Sequence, residues 1–357
     1  MPPAQRRGYD RLGAMRVLVV GGAGYVGGWL TNEAAAAGHD VRVYDLLLYE
    51  DRFLKDVPFV YGDVLDTDRL LPHLKWAETV VWLAALVGDP ASALAPGLTE
   101  KINLDSVRWL ATHYDGRIVF PSSCSVYGAA DGLLDETGPV APLSVYAQTK
   151  LAAERALLEA HPSALILRLA TLAGIGDSYS RIRLDLVVNL LTARAKSIGR
   201  LQVAGGAQYR PLLHVRDFAT AAVPHLETDV GGVFNLGAEN VTIEALAQRV
   251  AARVGGGVEI ERVDLALQDT RTYRASFERA ERELGFRAAY SVDDAIDQVA
   301  ELIDAGRIKD LSLAQFSNLE ALRPYLRPDE IPFGREIHTA HSLARHADRA
   351  YATAAGG

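Results

Sequence analysis

Tyr146 and Lys150, in YAQTK, stand four residues apart, so on a helix they share one face. A phenol with a pKa near 10 is a poor base at neutral pH, and lowering it by about three units takes roughly 4 kcal/mol of differential stabilisation. A lysine cation on the same face supplies part of that. By itself the pair also fits a solvated helix surface. What singles it out is Ser123, 23 residues upstream in FPSSCSVYG, at the end of an apolar run that reads as a strand. A serine there can hydrogen-bond the oxygen whose proton the phenol takes, so Ser123, Tyr146 and Lys150 are candidates for deprotonating a hydroxyl group. The neighbouring Cys124 is the only cysteine and has no histidine nearby in sequence. It reads as a small buried spacer.

GGAGYVG (21–27) fits G-x-x-G-x-x-G through Gly21, Gly24 and Gly27, and also G-x-G-x-x-G from Gly22. Glycines let a backbone turn sharply, touch a pyrophosphate with main-chain N–H groups at a helix N-terminus, and pack that helix on a sheet. A tight strand-to-helix turn would use the same residues without a ligand. The context favours a dinucleotide: an apolar run precedes the turn, a helical pattern follows it, and Asp45 closes the next strand 18 residues after Gly27. There a carboxylate accepts the ribose hydroxyls and repels a 2′-phosphate, which selects NAD. Asp63, ending the third strand in YGDVLD, is placed toward the adenine. The cationic nicotinamide ring then joins Lys150 in holding a phenolate, while the carbon bearing the deprotonated hydroxyl gives hydride to NAD.

The elements that must position these groups follow from alternation. Apolar runs at 15–20, 41–45, 59–63, 79–85, 117–123 and 164–170 are separated by helical patterns, notably 25–37, 103–114 and 145–161. This predicts an α/β fold with a doubly wound parallel sheet covered on both faces. After about 170 the rhythm loosens into a Gly/Ser/Arg segment, a helix near 184–196 and short strands at LQV, PLLHV and VFNLG. Amphipathic helices at 242–254 and 291–306 carry caps at Thr242 and Ser291. We expect residues 15–170 with about 211–238 to form an NAD-binding Rossmann domain. Residues 171–210 with about 239–335 form a smaller, discontinuous C-terminal α/β substrate domain, and 1–14 and 336–357 a flexible arm and tail.

GGAGYVG, Asp45, GDV, LAA, Asn103, SSCSVYG and YAQTK, in this order and spacing, resemble the extended short-chain dehydrogenase/reductase family in its nucleotide-sugar epimerase/dehydratase branch. The resemblance runs from Met15 to about Gly285. It implies that Tyr25 and Val26 join the glycines, and Val64, Leu83, Ala84, Ala85 and Asn103 join Asp45 and Asp63, in binding the cofactor. It also implies that the catalytic serine, four residues before the VYG tyrosine, is Ser123. RPLLHVRD resembles the segment whose arginine grips a sugar-nucleotide diphosphate, which puts Arg210 there; a planar guanidinium suits two phosphate oxygens. Asn189 matches the family's diphosphate-side asparagine and Arg271 its second phosphate ligand. Asp217, by contrast, reads as a helix cap.

Two departures narrow the reaction. Dehydratases of this branch carry an Asp-Glu pair where this chain has Cys124 and Ser125, so loss of water is not expected. Thr171 stands about where galactose-type epimerases have asparagine, and with Cys124 and Ser125 it is placed at the sugar. The loops 86–97 and 171–183 are expected to line that sugar side. The reading is an NAD-dependent nucleotide-sugar epimerase working by transient oxidation to a 4-keto sugar, with retained cofactor. Its rivals are a net sugar or nucleotide-sugar dehydrogenase and a non-catalytic dinucleotide sensor, which would typically lack the tyrosine or lysine. A homodimer paired through the helices after strands four and five is implied by the resemblance.

Composition excludes other classes. A formal charge of −8 with scattered basic residues argues against a nucleic-acid groove. One cysteine allows no internal disulfide, no metal-ligand spacing is present, and a reducing, cytoplasmic setting fits best. No apolar run reaches the roughly 18 residues of a membrane span. MPPAQRRGYDRLGA has no signal-peptide core, and Met15 reads as the functional start.

Overall fold

The computed structural model describes residues 13–50, 52–263 and 271–324. Most of the expected arm, the whole tail and residues 325–335 lie outside them. In chain order the elements are β1 (Arg16–Val20), α1 (Tyr25–Ala36), β2 (Asp40–Asp45), β3 (Phe59–Tyr61), α2 (Thr67–Trp76), β4 (Thr79–Trp82), α3 (Asp89–Leu94), α4 (Pro96–Glu100), α5 (Ser106–His113), β5 (Arg117–Ser123), β6 (Leu133–Leu134), α6 (Val145–Ala160), β7 (Leu165–Leu169) and β8 (Thr171–Ala173). They continue as α7 (Val187–Ile198), β9 (Arg200–Ala204), β10 (Tyr209–His214), α8 (Val215–Ala222), β11 (Gly232–Leu236), β12 (Glu239–Thr242), α9 (Ile243–Val254), β13 (Glu259–Val263), β14 (Arg274–Ala275), α10 (Glu278–Leu284), α11 (Val292–Asp304) and α12 (Asn318–Leu322).

Seven strands form one sheet in the order β11-β7-β5-β4-β1-β2-β3, every pairing parallel. Their continuous apolar runs reflect burial on both faces. In β1, Leu18 and Val20 join the core shared with α2, α5 and α6, while Val17 and Val19 join the core shared with α1 and α8. The sheet is doubly wound, and its order reverses between β1 and β4, the crevice where such folds hold ligands beyond the strand C-termini. VFNLG supplies the seventh strand, because β11 pairs with β7. PLLHV instead lies in β10, in a small sheet with β8 and β12.

A smaller C-terminal α/β part surrounds that second sheet. Helices α7, α9 and α11 bury Val188, Leu191, Leu246, Val250 and Ile296 against β9 and β10. Thr242 and Ser291 cap α9 and α11 as their sequence positions suggest, the latter through a reciprocal capping box with Asp294. Asp217 does not cap α8; His214 does. The Asp217 carboxylate is fully buried and accepts from the N–H groups of Ala289 and Tyr290, tying the approach to α11 onto α8, which packs on the main sheet.

Candidate active site

The turn after β1 is built on close backbone approach. Gly21 has φ +83°, and a Cβ there would lie 2.5 Å from the Ala84 nitrogen; one on Gly27 would lie 2.5 Å from the Gly22 oxygen. Only glycine lets this turn meet the end of β4 while α1 starts immediately behind it. Gly24 is the N-cap of α1 and has no side chain to satisfy the helix's first N–H groups. Gly21, Gly24, Tyr25, Val26 and Gly27 line a cavity of about 960 Å³, whereas Gly22 is turned toward Val19 and Val43. The register exposed to the cavity is therefore G-x-x-G-x-x-G.

Asp45, Asp63, Val64, Leu83, Ala84 and Ala85 line the same cavity. The Asp45 carboxylate accepts from Ala23 N at 3.0 Å and Leu47 N at 2.7 Å, which joins the end of β2 to the glycine turn. Burial pushes its pKa up, and those backbone donors pull it back. Asp63 accepts from Leu65 N at 2.9 Å.

Ser123, Ser125, Tyr146 and Lys150 converge at the C-terminal end of β5 on this cavity. Ser144 sets the start of α6, accepting from Ala147 N at 3.2 Å and donating to Asp89 at 2.5 Å, so Tyr146 stands in the helix's first turn. Ser123 Oγ accepts from both the N–H and the hydroxyl of Ser125, at 3.2 and 2.9 Å. Its own proton is left to donate. Burial pushes the Tyr146 phenol up to about 12, against the opposing pull of the Arg183 charge and the Ser123 hydroxyl. Lys150 donates to Pro121 O at 2.8 Å and lies 4.5 Å from the Phe120 ring centre. Burial lowers its pKa to about 7, while Glu154 one turn further along α6 raises it. Glu154 is itself fixed by two-pronged pairing with Arg168 and by the Ser122 hydroxyl.

Thr171, Arg210 and Arg271 also face the cavity. Arg210 donates to Tyr209 O at 2.8 Å and to Arg271 O, and Arg271 pairs with Asp89. Three sequence candidates do not face it. Cys124 is fully buried, its thiol donates to Arg168 O at 3.2 Å, and burial drives its pKa far upward, as the spacer reading anticipated and the substrate assignment did not. Asn103, expected at the cofactor, sits in a π-helical turn, Lys101–Asp105, between α4 and α5, and clamps both the N–H and the C=O of Leu86, at 2.8 and 3.0 Å. Asn189 likewise grips Gly174 N and O and Arg183 O, which occupies the amide with main chain. Both asparagines hold cavity-lining loops from behind.

The 171–183 segment also departs from its expected place. Tyr25 Oη donates to Gly174 O at 2.8 Å, Trp29 Nε1 to Ile175 O at 3.0 Å, and Asp177 pairs with Lys55 at 2.5 Å. The middle of this segment therefore lies over α1 and the 52–57 loop, on the cofactor-turn side. It carries Arg181 and Arg183 to the cavity wall, and Phe316 and Asn318 line another part of that wall. None of these four stood out in the sequence. The alternation of arginines in SRIR was the available signal for the first two, and it matched no motif.

The family model for the NAD dependent epimerase/dehydratase family matches residues 17–237, and the chain belongs to that family. A UDP-glucose 4-epimerase from Corynebacterium glutamicum is 28% identical over 302 residues, covering 76% of this chain and 90% of the relative. A dTDP-glucose 4,6-dehydratase from Streptomyces niveus is 27% identical over 315 residues, covering 80% of this chain and 92% of the relative. Among solved structures, MoeE5 in complex with UDP-glucuronic acid and NAD is 28% identical with a TM-score of 0.70, covering 82% of this chain and 99% of that one. The chain is thus an NAD-dependent enzyme of the epimerase/dehydratase type. The residues present fit NAD: the glycine turn leaves room for a pyrophosphate, the α1 N-terminus offers uncapped N–H groups, and the Asp45 carboxylate lines the same cavity at the end of β2.

Proposed function

We propose that this chain is a nucleotide-sugar epimerase that oxidises a sugar hydroxyl, at C4, to a ketone and re-reduces it on the opposite face. The observation that carries the reading is the convergence of Ser123, Tyr146 and Lys150 beside the glycine turn, with Cys124 turned away and Ser125 spent on Ser123. No acid-base carboxylate pair stands at 124 and 125 for elimination of water. The relatives named as UDP-glucose 4-epimerases support it.

When bound, NAD supplies the two-electron acceptor and donor, taking hydride from the sugar carbon and returning it. Gly21, Gly24, Tyr25, Val26 and Gly27 hold its diphosphate, Asp45 its adenosine ribose, Asp63 and Val64 the adenine end, and Leu83, Ala84 and Ala85 the wall along its length. Tyr146 takes the hydroxyl proton as oxidation proceeds and gives it back on reduction. The Arg183 charge and the Ser123 hydroxyl lower the cost of the phenolate, and Lys150, when protonated, adds a cation on the same helix face. Ser123 donates to the same sugar oxygen, and Thr171 and Ser125 line the sugar's surroundings. Arg210 and Arg271 hold the substrate diphosphate, for which Arg271 exchanges its bond to Asp89.

We further read the active form as a cytoplasmic homodimer paired through α5 and α6. Among the described residues no helix is long and apolar enough to cross a membrane. Incubation of the purified protein with UDP- and dTDP-hexoses, followed by NMR, is expected to show inversion at one carbon without net cofactor reduction. Accumulation of reduced cofactor with no epimer overturns the reading in favour of a net dehydrogenase.

A further inference from the structure

Arg181 is 8% exposed and lines the cavity, yet none of its three guanidinium nitrogens makes a hydrogen bond. It lies over the Tyr49 ring, 4.1 Å from its centre. The adjacent arginine of the segment differs: Arg183 makes two 3.0 Å bonds to Asp185. The Asp185 and Glu50 carboxylates act on the Arg181 charge, but no acceptor takes its hydrogens, and a buried guanidinium with five donors and no acceptor is costly unless an anion arrives to accept from it.

Its position identifies the anion. Ser180, the residue before it, rests on the first turns of α1, where a Cβ on Gly28 would collide with the Ser180 hydroxyl. Gly176 similarly abuts Tyr25. Tyr49 follows β2, four residues beyond Asp45. Arg181 is therefore held between the N-terminus of α1 and the ribose end of the cofactor site. The substrate-side arginines Arg210 and Arg271 belong to a different stretch of wall, on and beside the small sheet and next to Asp89. Between the α1 N-terminus and Asp45 the charged group NAD presents is its diphosphate.

We infer that Arg181 binds the NAD diphosphate from the side opposite the glycine turn, making the 174–183 segment a strap that locks the cofactor in place. Tyr25, Trp29 and the buried Lys55–Asp177 pair anchor this strap to α1 and to the loop at 52–57. The inference rests on NAD as the cofactor and is independent of which sugar reaction the enzyme performs.

The test compares wild type with Arg181→Gln and Arg181→Lys by NAD release from the purified holoprotein and by competition with ADP-ribose, adenosine and UDP. Loss of charge-assisted bonds to a diphosphate predicts about 10- to 100-fold faster NAD release and an equal loss of ADP-ribose affinity for Arg181→Gln. Adenosine and UDP affinities stay unchanged, and Arg181→Lys, which keeps the charge but not the fork, falls between. A second readout has a distinctive sign: without nucleotide, Arg181→Gln melts at a higher temperature than wild type, because a buried guanidinium with no hydrogen-bond acceptor has gone. Unchanged NAD release and ADP-ribose affinity overturn the inference. So does a loss confined to UDP, which would assign Arg181 to the substrate's diphosphate, or an equal loss of adenosine, which would mark a merely structural residue.

Discussion

Lys150 is a cavity-lining residue whose acid–base chemistry the fold alters strongly. It is 3% exposed and depressed to about pH 7, with burial as the principal cause. Because the folded value lies below the ordinary lysine value of 10.5, the folded state sheds its proton before the unfolded chain does. Below about pH 7 both states hold the proton and the burial penalty is fully present. Between about 7 and 10.5 only the unfolded chain holds it, so stability rises with pH. Denaturant titration of nucleotide-free wild type and Lys150→Met should show the wild type gaining on the variant by about 1.4 kcal/mol per pH unit from pH 7.5 to 9.5. A flat difference across that range would mean that Lys150 enters the fold as an ordinary lysine. The same plasticity suits the proposed role, since a lysine near neutrality responds to a cofactor charge and to the phenol beside it.

Elements determine which motif residues reach the cavity. Asn103 lies in the π-helical turn, and its amide answers both polar groups of Leu86, whose neighbours Val87 to Ala91 continue the cavity wall. Asn103→Ala would leave the buried Leu86 N–H unpaired, at about 1–3 kcal/mol, while the Leu86 C=O keeps the Ser92 hydroxyl at 3.3 Å. We expect a loss of about 1–3 kcal/mol in chemical denaturation, with KM for the nucleotide sugar rising more than kcat falls, as the 86–91 loop loosens. An unchanged melting curve would rule out the clamp. The strand ends and the glycine turn were legible in the sequence because sheet periodicity, a steric demand for glycine and a strand-end carboxylate each leave a local signature. Asn103 and Asn189 were legible only as matches to positions. A motif position does not say whether an amide faces a ligand or the main chain behind it, because that depends on the turn it meets across the fold. Arg181 was illegible for a related reason: its significance lies in lacking a partner, and partners are a tertiary fact.

At the scale of the whole molecule, the cavity is enclosed by contributions from the seven-stranded sheet and the β8–β10–β12 sheet, and the 174–183 strap is where the C-terminal part reaches back over the cofactor turn. The Lys55–Asp177 pair is the buried ionic tie in that contact, with side chains 5% and 3% exposed. Burial lowers the Lys55 pKa, offset by Asp177; Asp177 is pushed up by burial but held below its ordinary value by Lys55, Ser180 and Asn32. Removing one partner of a buried pair ordinarily costs about 3–5 kcal/mol because the other charge is stranded. Here Asp177 would keep Asn32, Ser180 and the Tyr179 N–H, so Lys55→Met should cost about 3 kcal/mol, at the low end of that range. The substitution lies outside the reacting groups, so holoenzyme turnover at saturating NAD should stay near wild type while the strap opens more often. Cofactor occupancy after desalting is then expected to fall in Lys55→Met, and added NAD to restore both occupancy and melting temperature through mass action. Full occupancy after desalting, together with an unshifted melting temperature, would show that the tie carries neither the strap's stability nor its hold on the cofactor.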